Sequence, residues 1–194
     1  MSEAEDFRLA PAQEVQLFSS RAATILTMSR PLLSPAGLWH SLFDTGQNKF
    51  AYLGKALLLD LPVCLAVAVV IGLLSSEPGP DFSKYGPAEL LFLLGVFAPL
   101  IETGMMMLIF GVLRWFTKRE PILIALSVVI WALLHSASHP LWGAGIAWPF
   151  LLFSVCYLNW GKRSRSQAYL MTAAFHGLHN LFAVLLLLSR AVDS

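Results

Sequence analysis

Five apolar stretches, each close to the length that crosses a hydrocarbon core, divide this chain: roughly 51–74, 88–114, 121–137, 142–160 and 167–189. About 20 residues of helix span the roughly 30 Å of bilayer hydrocarbon, where every backbone amide must find its partner within the protein. A chain patterned this way has few folds open to it. Composition agrees: 57% of the 194 residues are hydrophobic and 13% are charged, against about 25% charged in soluble domains. The expected fold is all-α, a polytopic transmembrane helix bundle of about five spans. Inside such a bundle the residues to look for are the polar ones.

The connections between the stretches support the division. "SSEPGPDFSKYGP" is rich in Pro, Gly and Ser and reads as a loop, and "SASHPLW" reads as a tight turn stopped by Pro140. Basic residues alternate between the two sides. Arg8, Arg21, Arg30, Lys49 and Lys55 precede or open the first stretch; Arg114, Lys118 and Arg119 follow the second; Lys162, Arg163 and Arg165 follow the fourth. The other side holds only Lys84 and Arg190. The positive-inside bias then puts the N-terminus in the cytoplasm and the C-terminus outside a cell inner (plasma) membrane. "MSEAEDFRLA" lacks the pattern of a cleavable signal peptide.

Residues 1–49 are expected to form a cytoplasmic and interfacial segment, and 50–194 the transmembrane domain. Val15, Phe18, Ala22, Ile25 and Leu26 recur at near-helical spacing, with Arg21 and Arg30 among the polar positions. This pattern predicts an amphipathic helix lying on the lipid bilayer. "SPAGLWHSLF" predicts a second short helix, capped by Ser34 with Pro35 at its first position. Cys64 and Cys156 fall in apolar runs, read as small core residues without a disulfide or zinc motif. The net charge of +1 says nothing about partners, since placement matters more than the sum; no nucleic-acid partner is expected.

Within the spans the polar candidates are Asp60, Glu102, His135, His176, His179 and Asn180. A charge at the bilayer centre costs roughly 2.5–3.5 kcal/mol on insertion scales, so each needs a partner. Asp60 precedes Leu61-Pro62 and is read as serving backbone groups loosened by that proline, with Lys55 as another partner. Glu102 sits alone in "FAPLIETGMMMLIF". His176 and Asn180 are four apart in "FHGLHN" and share a helix face, with His179 on its flank. By counting along the helices, Glu102, His176 and Asn180 meet near mid-span, with His135 somewhat further out.

Two chemistries fit this set. In one, Glu102 and His135 hold and deprotonate a water that attacks a carbonyl, while His176 and Asn180 donate to the developing oxyanion. In the other, His135, His176, His179 and Glu102 bind a divalent metal, the spacings in "HSASH" and "HGLH" suiting ligands on a helix face. HExxH is absent, and Pro140 puts His139 at a helix end or in the turn. A structural or transport protein with a polar core is a third reading.

Glu102, then "WALLH" ending at His135, then "HGLHN" from His176 to Asn180 resembles the three-motif signature of the CAAX protease and bacteriocin-processing family, over residues 88–189. That pattern is Glu-Glu-x-x-x-Arg, Phe-x-x-x-His and His-x-x-x-Asn, each on its own transmembrane helix. The resemblance implies an intramembrane endopeptidase without metal or cofactor. Glu102 takes the general-base position, His135 helps hold the water, and His176 and Asn180 take the oxyanion-stabilising positions. Thr103 and Met107 stand where the motif has its second Glu and its Arg, and Trp131 replaces its Phe. A catalytically inactive relative acting as a membrane binding or immunity protein is the alternative. The resemblance implies a bacterial membrane. With His135 about 22 Å along its span, the expected substrate is a membrane-anchored protein or peptide (a C-terminal sorting tail or a leader), cut near the outer face as in the myxosortases.

Overall fold

A computed structural model describes residues 33–75, 82 and 84–192. Among the described residues there are six helices and no strand: α1 Pro35–Ser41, α2 Lys49–Leu74, α3 Pro87–Phe116, α4 Glu120–Ser136, α5 Trp142–Gly161 and α6 Arg165–Val192. The helix expected around 12–30 lies outside the described residues. Four helices are long and apolar enough to cross a membrane: α2, α3, α5 and Arg165–Ser189 of α6. The expected count of about five is met by these four and by α4, a shorter apolar helix of 17 residues. At 1.5 Å per residue α4 rises only about 25 Å.

Local chemistry sets the boundaries. Ser34 caps α1, its Oγ accepting from Gly37 N at 3.1 Å. Asn48 caps α2 by accepting from Phe50 N and Ala51 N. His139 lies in the turn between α4 and α5, as Pro140 predicted. There α5 starts so close to α4 that a Cβ at Gly143 would collide with the Ala132 carbonyl and Ser136 Oγ.

The core is built around α5, buried along Phe150 and Leu152–Trp160, with Phe110, Trp131 and Phe175 packed onto it. By contrast α2 leaves Leu58, Val69, Leu73 and Leu74 exposed, and α3 ends on exposed Trp115 and Phe116. Apolar surface this extensive belongs against lipid. The chain is a helical membrane bundle.

One end of the bundle gathers the basic residues. Lys162 Nζ meets Glu120 Oε2 at 3.0 Å, joining the end of α5 to the start of α4. Arg163 donates to Thr45 Oγ1, and Asn159 and Tyr52 both donate to the Leu42 carbonyl at the end of α1. Lys49 and Arg163 both approach the buried ring of Trp160. The alternation of charges along the sequence thus becomes one charged end.

In the first third of α3, Leu93–Phe97 forms a π-helical turn, with Ala98 N bonded to Leu93 O. In that widened register the next carbonyl, Leu94, would bond to residue 99. Residue 99 is a proline with no N–H to give. The orphaned Leu94 oxygen is taken instead by Asn180 Nδ2 of α6, at 2.9 Å. Beside it, a Cβ at Gly177 would fall 2.8 Å from the Gly95 carbonyl oxygen. Glycine at 177 is what lets α6 lie against the π turn.

Candidate functional site

Successive residues on α6 turn by about 100°, so His176, His179 and Asn180 fan out toward different neighbours. Asn180 reaches the π turn, His176 faces Glu102 of α3, and His179 faces Asp60 of α2. Counted from the basic end, Glu102, His135, His176 and His179 stand roughly 16–22 Å into their helices. They occupy one layer.

The Glu102–His176 pair is loose. Its Oε2–Nε2 distance is 3.8 Å, beyond a hydrogen bond and of the order at which a water is shared. Glu102 Oε2 is buried and has no hydrogen-bond partner, although 22% of the side chain remains exposed. Buried polar atoms normally have partners, so this oxygen marks a place for one. The His176 ring is held by stacking on Phe153, centroids 4.5 Å apart, and by the edge of Phe150.

His135 also packs on Phe150, its ring centroid 5.3 Å from that phenyl and 5.4 Å from Trp142. Its Nδ1 is 3.0 Å from the Trp131 carbonyl. A carbonyl only accepts, so Nδ1 carries a proton, and in the neutral form of the ring Nε2 is the acceptor. Trp131 stacks on Phe150 as well, at 4.5 Å. Asn180 has one amide proton committed to Leu94 and a second still to give. Of the four predicted site residues, then, Glu102 and His176 face each other directly. His135 joins them through Phe150, and Asn180 is anchored on the π turn. Thr103 is buried with its hydroxyl unpartnered, and Met107 is exposed over less than half of its surface.

Asp60 corrects an expectation. It is fully buried, and neither Pro62 nor Lys55 explains it, since Lys55 donates to Gln47 Oε1 at 2.8 Å. Asp60 Oδ2 lies 2.6 Å from His179 Nδ1, and Oδ1 accepts from Cys64 Sγ at 3.0 Å. Cys64 is therefore a partner of an acid rather than filler; Cys156 is core as expected. The signals were present: Asp60 and Cys64 are four apart, and His179 is offset from the His176 face.

A cavity of about 540 Å³ lies between α2, α5 and α6, lined by Cys64, Ile71, Trp142, Pro149, His179 and Leu186 among others. The residues expected to meet near mid-span, Glu102, His176 and Asn180 with His135 further out, do not line this one. The reason is the turn of α6, which gives His179 alone to the α2 side. No family model matches the chain, and no curated protein or solved structure matches it.

Proposed function

We propose that the chain is an intramembrane endopeptidase that uses water activated by Glu102. The observation that carries this reading is the partnerless buried oxygen of Glu102, 3.8 Å from His176 Nε2 at mid-span. A water between them has an acceptor in the carboxylate and a neighbour in the imidazole. His135 Nε2 supplies a further acceptor in the same layer. As Glu102 takes the proton, the water oxygen attacks the scissile carbonyl. The remaining Asn180 N–H and the His176 imidazole are the groups to which the oxyanion looks. Return of the proton from Glu102 to the leaving amine completes hydrolysis without a covalent intermediate.

The likeness of Glu102, Trp131-to-His135 and His176-to-Asn180 to the CAAX protease and bacteriocin-processing signature supports the same reading. So does depth: a site roughly 16–22 Å inside a bundle reaches peptide bonds within or beside a membrane anchor. With the basic end in the cytoplasm of a bacterial plasma membrane, the substrate is an exported protein held by a membrane tail. Cleavage near the outer face releases its exported part.

The test compares membranes of cells lacking the gene with cells complemented by the wild type or by Glu102→Gln. The wild type should convert an anchored protein to a smaller form, and Glu102→Gln, present at equal level, should leave it full-length. Equal conversion by both would remove Glu102 from the chemistry; conversion by neither would point to a protein that acts by binding, as an immunity protein would.

A further inference from the structure

We propose that Asp60, Cys64 and His179 form a binding site for one zinc-class divalent cation, separate from the Glu102 site. One ligand atom from each residue lies within 4.8 Å of the others. Asp60 and Cys64 are four apart on one face of α2, and His179 comes from α6. Around a tetrahedral zinc, with bonds of about 2.0–2.3 Å, ligand atoms stand roughly 3.3–3.7 Å apart. The present separations of 2.6 Å and 3.0 Å from the two Asp60 oxygens both fall short of that spacing. Side-chain rotations of about 1 Å complete it. A carboxylate, an imidazole and a thiolate are a donor set that selects zinc over magnesium or calcium.

Charge decides why this set suits a cation. In the metal-free form the acid is satisfied by the thiol proton and the imidazole proton. A divalent cation takes the place of both. The thiol proton leaves to water, the neutral imidazole shifts its proton from Nδ1 to Nε2 so that Nδ1 can ligate, and carboxylate and thiolate together balance the two positive charges. The complex is neutral overall, which is the state an apolar interior tolerates.

The route is the cavity. Cys64 and His179 line it, so a fourth coordination position opens onto that space, as in zinc sites that keep an exchangeable ligand. His139 lines it too, with Nε2 buried and without a protein partner. An imidazole nitrogen left this way calls for water, and a wet cavity admits a hydrated ion.

The experiment uses the full chain in phospholipid nanodiscs with zinc(II) or cobalt(II) as the sole probe. One equivalent of zinc per chain should survive desalting, and cobalt should give a near-ultraviolet sulfur-to-metal charge-transfer band. Cys64→Ser should lose that band. His179→Ala and Asp60→Asn should weaken binding by at least about tenfold, the loss that even an outer-shell partner brings. Glu102→Gln should bind as the wild type does, so this result stands apart from the peptidase reading. Wild-type protein that retains no zinc overturns the proposal, whether or not the variants fold. A band that persists in Cys64→Ser overturns it equally.

Discussion

Two carboxylate–imidazole pairs sit in the same layer of this bundle and differ in almost every physical respect. Asp60 and His179 are 2.6 Å apart, Asp60 is fully buried, and both its oxygens are occupied. Glu102 and His176 are 3.8 Å apart, and a buried oxygen of the acid has no partner. The first pair is closed and holds α2 against α6. The second is open, with a polar atom waiting for something outside the chain. Charges inside a membrane are therefore not one class: a satisfied acid binds the structure together, whereas an unsatisfied one is where chemistry is expected.

The largest contrast should come from stability. Asp60→Ala leaves an imidazole and a thiol without their acceptor and should destabilise the bundle by about 3 kcal/mol or more. Glu102→Gln removes an unpaired buried acid and should be neutral or slightly stabilising. Unfolding of both variants in the same detergent checks the pair. Equal destabilisation would erase the distinction between closed and open.

Next in size is the wedge that aims α6. Gly177→Ala places a methyl against the Gly95 carbonyl, and overpacking of this kind costs about 1–3 kcal/mol. By shifting α6, and with it His176 and Asn180, it should reduce peptide processing although no proposed catalytic side chain is replaced. Asn180→Ala strands the Leu94 carbonyl. Its stability cost should be about 0.6–2 kcal/mol, since hydrogen bonds in membrane bundles are worth little more. Its loss of processing should exceed what that cost explains if the second amide proton serves the oxyanion. A loss of stability with processing intact would reduce Asn180 to a strut for the π turn.

The smallest effect belongs to the charged end. Lys162 and Glu120 are about half exposed, and such pairs contribute roughly 0–1 kcal/mol. Lys162→Ala should leave both stability and processing near the wild-type values, and a large effect would place function at that end.

The fold was legible where a single physical signal dominates. Apolar length located all five long stretches of the described chain, and Ser34 and Pro140 announced a helix start and a turn through local chemistry. Glu102 facing His176 was legible because an acid in lipid must have a partner of similar depth. Asp60 was misread because its partner lies 119 residues away. Sequence counting favours near neighbours such as Lys55 and Pro62. The π turn was invisible for a related reason. Pro99 alone signals a kink, and only the packing of Gly177 and Asn180 onto it selects the widened register. Phe150 and Phe153 look like ordinary core residues in "WPFLLF", yet they position His135, His176 and His179.

The central claim is that the open carboxylate does the chemistry, and one measurement bears on it most directly. The anchored protein that accumulates in cells lacking the gene is reconstituted with purified wild-type chain or Glu102→Gln, each verified as folded and present in equal amount. Cleavage by the wild type and none by Glu102→Gln is the predicted result. Cleavage by Glu102→Gln at the wild-type rate would contradict the account and move the search for the reacting group to the closed pair at Asp60.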